Sequence, residues 1–237
     1  MKSVFWRNAL YPRGIKCIVC DDELREDTRY GLCPNCKLPY NDNYCSVCGR
    51  AVLEQNAVCD ECKNAVYAFA EARSSFVYCD NAATLVHRLK FREAKFLAEP
   101  MAEFMADTYY KTPWNANAVT CVPLHKSRRR MRGYNQSELL AKAFAARVGA
   151  LFVNALTKTA KTKSMVGLTR KERQENVRGS FSVRDASLVC DKTVLLIDDV
   201  FTTGSTASEC ARTLKSAGAK EVFVLTFASV PQKIPLT

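Results

Sequence analysis

The sequence predicts an α/β protein, a mostly parallel sheet flanked by helices, preceded by a small cysteine-rich module. Three observations carry this. After residue 66, apolar strand-like runs alternate with helical stretches, the pattern of a parallel sheet with helices on its faces. Eight of the 12 cysteines fall between Cys17 and Cys62. One apolar run, Val194-Leu195-Leu196-Ile197, ends in two adjacent carboxylates and a loop of small hydroxyl residues with a single glycine. The expected division is residues 1–66 for the cysteine module and 67–237 for the α/β domain.

Residues 1–14, MKSVFWRNALYPRG, read as a short amphipathic helix ending near Pro12. Arg7, Asn8 and Pro12 interrupt it too much for a secretion signal. No run reaches the length of a membrane span, so no membrane insertion is expected and the cytoplasm is the expected compartment. Cysteines clustered in a reducing compartment point to metal rather than disulfides. They form four C-x-x-C units: Cys17/Cys20, Cys33/Cys36, Cys45/Cys48 and Cys59/Cys62. A tight turn puts both sulfurs of one unit on the same side, and two units close a tetrahedral zinc site. With 12 residues between the first two units and 10 between the last two, sequential pairing is expected. Interleaved pairing stays open on spacing alone. Four sulfurs leave no position for water, so the sites would be structural. Each Zn(Cys)₄ unit carries about −2 charge, which makes the ribbons a poor main surface for nucleic acid.

Further elements follow in order. Residues 70–79 read as a strand, and residues 81–91 as a helix behind Asn81 as cap. Residues 95–110 read as a second helix with Pro100 near its first turn. Residues 117–122 form a short apolar strand, and GYNQSELLAKAFAARVG (133–149) a helix stopped by Gly149. A weaker strand lies near 151–157, and 158–180 is polar and basic, loop plus a short helix. A strand at 193–198, a helix from Ser205 to about Ala217 with Gly218 as cap, and the strand EVFVLTFA complete the pattern.

Charge is uneven. The formal total is +11, yet residues 1–80 hold 10 Lys and Arg against 11 Asp and Glu. Within 122–181 there are 14 basic residues against 3 acidic. A patch of that kind suits polyanions such as nucleic acid or phosphorylated metabolites.

The segment TVLLIDDVFTTGST carries the chemistry. Ligands of open α/β sheets bind at the carboxyl ends of strands, where Asp198 and Asp199 stand. The helix beginning at Ser205 offers free N–H groups and a positive dipole end to a phosphate. Gly204 lets the main chain approach, while Thr202, Thr203, Ser205 and Thr206 add hydroxyls. Carboxylates accept hydrogen bonds from a diol, so the segment reads as a sugar-phosphate cradle. Neither a Walker loop nor a dinucleotide fingerprint is present.

This segment resembles the phosphoribosyl pyrophosphate (PRPP) motif of type I phosphoribosyltransferases. The matching stretch is Asp198, Asp199, Val200, Phe201, Thr202, Thr203, Gly204, Ser205 and Thr206. The resemblance implies that the two aspartates meet the ribose hydroxyls, that Thr202 to Thr206 hold the 5′-phosphate, and that Mg²⁺ arrives with PRPP. With HRLKF (87–91), VPLHKSRRRMRGYNQSELLA (122–141) and GLTRKERQENVRGSF (167–181), nearly the whole chain resembles the competence protein F (ComF) family. That family is associated with DNA uptake in natural transformation. Implied partners are PRPP, single-stranded DNA and a competence-associated helicase or another DNA-processing protein.

By the same resemblance, Pro123, Leu124, His125 and Lys126 match a pyrophosphate-binding loop, and 158–178 matches a mobile lid. Arg128, Arg129, Arg130 and Arg132, with Lys161, Lys163, Arg170 and Arg173, would then hold phosphates of ligand or DNA. Arg178 is a further cation of this lid, and Arg170, Arg173 and Asn176 share one helix face. Tyr134 reads as a core residue before a stacking one, and His87 as a packing group or one that supports the site residues from behind. His125 is not assigned as a catalytic base, and no catalytic residue is named. Two activities compete: transfer of phosphoribose to an unidentified nitrogenous base, or handling of DNA on a retained PRPP fold. No acceptor-binding motif is found.

Overall fold

The computed structural model describes residues 16–24, 28, 30–54, 57–91, 94–162, 167 and 169–231. The helix expected over residues 1–14, the side chain of Arg170 and all of Lys163 lie outside the described residues. Four parallel strands form the main sheet: β1 (Ala72–Val77), β2 (Ala118–Cys121), β5 (Thr193–Phe201) and β6 (Glu221–Ser229). Their spatial order is β1-β6-β5-β2, so β5 lies inside the sheet between β6 and β2. β3 (Leu156–Lys158) and β4 (Phe181–Val183) form a separate antiparallel ribbon.

The helices are α1 (Asp60–Lys63), α2 (Asp80–Phe91), α3 (Ala98–Tyr110), α4 (Lys126–Arg132), α5 (Gln136–Val148), α6 (Arg170–Val177) and α7 (Ser205–Ser216). Helix α2 buries Ala82, Leu85, Val86 and Leu89, the spacing of a single apolar stripe. It shares one core with α3, α5 and one sheet face. The other face packs against α7, the β3–β4 ribbon and the second cysteine cluster.

Several boundaries differ from the sequence expectation. Asn81 lies inside α2 rather than capping it, and its amide donates to the Lys37 carbonyl at 2.8 Å. The run 126–132, to which the sequence pattern assigns no element, is a helix ended by the left-handed Gly133, and Asn135 then caps α5. The strand expected over 151–157 splits: Phe152 bridges Val119 beside β2, while Leu156–Lys158 turns away into the ribbon. β5 runs on to Phe201, because Val200 and Phe201 still pair with Ala228 and Ser229. The helix after it stops at Ser216, with Ala217 as cap and Gly218 following at φ +93°.

The cysteine module closes an otherwise open sheet edge. Tyr40 bridges Phe76 of β1 in antiparallel sense. The Asn41 amide donates to the Ser75 carbonyl at 3.1 Å, and the Val77 amide to the Pro39 carbonyl at 2.9 Å. An unpaired edge is an invitation to wrong partners, and these bonds remove it. Ala72 likewise donates to the Val47 carbonyl at 2.9 Å. The knuckle fits only with a glycine at position 49. Gly49 has φ +67°, and a Cβ there would lie 2.4 Å from the Ala72 carbonyl oxygen. On the other side, Arg88 of α2 donates to the carbonyls of Ile18 at 2.8 Å and Val19 at 3.1 Å and pairs with Asp21.

Gly49→Ala is therefore expected to destabilise by about 1–3 kcal/mol, through backbone strain and a displaced knuckle. In a chain of this size that is a melting temperature lowered by roughly 2–10 °C. Differential scanning fluorimetry reads it; an unchanged value would mean that the knuckle is not seated on β1.

Candidate functional site

The site is built on the carboxyl end of β5. Asp199 is buried and Asp198 half-buried. Two adjacent carboxylates leaving water must be compensated, and three side chains do this. Lys90, from the last turn of α2, forms an ion pair with Asp199 Oδ2. Gln136 Nε2 stands 3.5 Å from Asp199 Oδ1, and Ser137 Oγ donates to Asp198 Oδ1 at 2.7 Å. Burial and the neighbouring Asp199 charge push the Asp198 carboxyl well above the usual carboxylate range. Burial also works to raise Asp199, but Lys90 outweighs it and holds that carboxyl below its ordinary value. The pair therefore sits as one carboxylate neutralised by lysine beside one that resists ionisation.

Three residues, Thr202, Thr203 and Gly204, turn the chain from β5 into α7. Thr202 is exposed, Thr203 and Thr206 are half-buried and Ser205 is buried. Thr203 Oγ1 lies 3.0 Å from Ser205 Oγ, so the hydroxyls are mutually oriented. The 12-residue helix α7 presents its first-turn amides at this turn. Gly204 takes φ +76°. A Cβ there would meet the Phe201 ring at 2.6 Å and the Tyr67 ring at 2.7 Å. Glycine is thus required by the turn and by the two rings packed behind it. Phe201 is buried and faces Phe69 at 6.0 Å, so it braces the loop from within. Val200 packs against the core. Tyr67 also donates its hydroxyl to the Thr203 carbonyl at 3.1 Å.

The segment matched to a pyrophosphate loop leads from β2 into α4. Pro123 and Leu124 are half-buried and Lys126 is exposed. His125 is a capping residue: its Nδ1 accepts from the Ser127 amide at 3.3 Å. Leu124, His125, Ser127 and Arg128 line a cleft of about 250 Å³ together with Lys158, Lys161 and Thr162. The cleft thus joins the start of α4 to the start of the lid segment. Lys158 donates to Thr162 Oγ1 at 2.9 Å. Burial, then repulsion from Arg128, pull its ammonium below the ordinary value.

The arginines expected to form one patch point in different directions, because helical rotation separates neighbours by about 100°. Arg128 faces the cleft, and Arg129 pairs with Glu138 at 3.1 Å. Arg130 is exposed. Arg132 turns inward, bonded to Gln136 and stacked 5.1 Å from the Phe91 ring centre. Tyr134 is buried, its hydroxyl donating to the Leu89 carbonyl, and takes the core role. His87 is exposed, its ring 4.8 Å from Phe91 rather than packed in the interior.

Segment 158–178 carries the short helix expected there, and its two ends are held as well. β3 and β4 hold its ends, and α6 opens with a reciprocal capping box between Thr169 and Glu172. Arg173 is half-buried and Arg178 exposed on this segment. Gly179 donates to Glu209 Oε1 at 2.6 Å, tying the lid's return to α7.

Sequence reasoning assigned no role to Lys90, Gln136, Ser137, Lys158 or Tyr67. HRLKF and GYNQS were visible as motifs, but a lysine 109 positions before its aspartate partner is not legible without the fold.

The cysteines pair sequentially. Cys17, Cys20, Cys33 and Cys36 have all sulfurs within 4.8 Å of one another, as do Cys45, Cys48, Cys59 and Cys62. Four sulfurs about 2.3 Å from one zinc lie about 3.8 Å apart. Cys20 and Cys33 are 3.7 Å apart, and so are Cys48 and Cys59. Backbone amides of Cys33 and Cys59 donate to the sulfurs of Cys17 and Cys45 at 3.4 and 3.3 Å. Buried Arg50 donates to Cys48 Sγ at 3.5 Å and pairs with Glu61, which places a cation beside the thiolates. Both quartets fit structural zinc.

A pH dependence follows from Asp198. Above an unfolded pKa of about 3.9 the unfolded chain is ionised, while the folded carboxyl resists ionisation, so the destabilisation grows as pH rises. Asp198→Asn removes that cost. Its melting temperature should exceed the parent's by a few degrees, with a larger gain at pH 8 than at pH 5. Equal gains at both values would show that Asp198 is not the raised group.

Comparison with known proteins places these features. A phosphoribosyl transferase domain model matches residues 137–236, and a double zinc ribbon domain model matches residues 6–63. Competence protein F of Haemophilus influenzae is 27% identical over 222 residues, covering 89% of this chain and 95% of its own. DNA utilization protein YhgH of Salmonella typhi is 27% identical over 217 residues, covering 82% and 95%. The solved allosteric regulatory enzyme of purine biosynthesis aligns with 60% of this chain and 30% of its own, at 19% identity and a TM-score of 0.42. Over most of its length the chain is thus similar to competence protein F and DNA utilization protein YhgH, with a double zinc ribbon match preceding a domain of type I phosphoribosyltransferase fold.

Proposed function

We propose that this protein binds Mg-PRPP at the end of β5 and single-stranded DNA on the neighbouring cations, and acts in DNA uptake or utilisation in the cytoplasm. The observation that carries the reading is the compensated pair Asp198–Asp199, with five residues between Asp199 and Ser205, the first residue of α7. A ribose diol meets the carboxylates, and the 5′-phosphate meets the Thr203–Thr206 amides and hydroxyls. Pyrophosphate then extends toward the cleft of His125, Arg128, Lys158 and Lys161, with Mg²⁺ carried by the ligand. The relatives' names, competence protein F and DNA utilization protein, support the DNA context. Exposed Lys126, Arg128 and Arg130 supply phosphate contacts. Transfer to a nitrogenous acceptor uses the same donor site, with the leaving pyrophosphate held by these cations.

Calorimetry with Mg-PRPP tests the ligand. Saturable binding is expected, weakened at least about tenfold when Asp198 and Asp199 are both changed to Asn, the loss of charge-assisted bonds to the diol. Unchanged affinity in that double variant would overturn the site. For DNA, affinity for a short single strand should fall steeply with salt, by a logarithmic slope of about −0.7 per phosphate contact. Changing Arg128 and Arg130 to Gln should flatten the slope by about one contact each. Mg-PRPP binding without any strand binding would favour a metabolic phosphoribosyltransferase instead.

A further inference from the structure

Phe91 ends α2 with 62% of its surface exposed, although its neighbours in the helix build the core. Its ring is not isolated. The His87 ring lies 4.8 Å away at 43°, and the Arg132 guanidinium lies 5.1 Å from the ring centre. Arg132 is itself fixed by Gln136, which reaches Asp199. Lys90, one residue before Phe91, points into the site and pairs with that same aspartate. Consecutive residues of one helix end therefore serve the carboxylates from within and present an aromatic surface at the rim. An exposed phenylalanine ordered by a cation and a second ring, in contact through Arg132 with the helix that carries exposed Lys126, Arg128 and Arg130, matches the make-up of nucleobase platforms: π-faces for bases, cations for phosphates.

We propose that Phe91, held by His87 and Arg132, is a stacking platform for a planar nucleobase beside the Asp198–Asp199 site. The inference deepens the DNA part of the proposed function and rests on it. It supplies the base-recognising element that no sequence motif revealed. A base stacked there belongs either to a strand or to a free nucleotide, since both present the same π-face and phosphate.

Four probes separate these outcomes: a twelve-residue thymidine strand, an abasic strand of equal charge, thymidine monophosphate and Mg-PRPP. Phe91→Ala should weaken binding of the thymidine strand by about 5- to 100-fold, the range for removing one stacking side chain. The abasic strand should bind parent and variant alike. Phe91→Trp should restore affinity, with a tryptophan emission quenched by the thymidine strand and not by the abasic one. Zinc content and melting temperature check that the variants fold. Weakening for strand and mononucleotide together supports a platform open to either source. Weakening for the strand alone assigns it to DNA. Equal affinity of parent and Phe91→Ala for the thymidine strand, or an equal loss on the abasic strand, would overturn the proposal. Failure of the parent to bind Mg-PRPP would sink the PRPP site and leave the platform result standing.

Discussion

Two carboxylates side by side at the end of a buried strand repel each other and lose their water. Lys90 answers this, and much of the site geometry is set by bringing that one ammonium to Asp199. A half-tolerated buried charge is costly when its partner is lost, so the helix that carries the lysine has to be held firmly. Helix α2 is fixed from three sides. Its apolar stripe enters the core, Tyr134 holds the Leu89 carbonyl, and Arg88 clasps the first zinc knuckle. Gln136 and Ser137, from the first turn of α5, then meet Asp199 Oδ1 and Asp198 Oδ1.

The zinc ribbons are consequently part of the site's architecture. The first clasps α2, which carries Lys90. The second stands against β1, and the chain leaving it at Cys62 reaches Tyr67, which packs on Gly204 and holds the Thr203 carbonyl. Tetrahedral thiolate sites are rigid and need little sequence, so a small module can still brace the turn before α7. The buried Arg50 between Cys48 and Glu61 offsets the negative charge where it would otherwise face the sheet.

The basic segment shows how composition misleads about surface. Its charges are numerous, but helical rotation sends Arg129 to Glu138 and Arg132 to Gln136, leaving Arg128 and Arg130 directed outward. The lid segment is likewise better anchored than its polarity suggests. The β3–β4 pairing and the Gly179–Glu209 bond hold it at both ends, because Leu156, Val177 and Phe181 are buried.

What was legible in the sequence was local: the C-x-x-C units, whose turns bring sulfurs together, and the apolar strand, carboxylates, hydroxyls and glycine that make the turn from β5 into α7. Periodicity placed α2, α3, α5 and α7 within a few residues; α2 and α5 bury one stripe, whereas α3 is buried all round over 101–106. The helix at 126–132 was not legible, because it has no apolar stripe and buries no residue. The partnership of Lys90 with Asp199, the brace of Tyr67 against Gly204 and the stacking of Arg132 on Phe91 lay beyond the sequence as well. Each joins residues far apart in the chain whose side chains are ordinary where they stand. Local chemistry determined the ligand-shaped turn and the metal knuckles. Only the tertiary fold decided which cation neutralises the turn and which ring stands open beside it, because burial and proximity are properties of the folded packing.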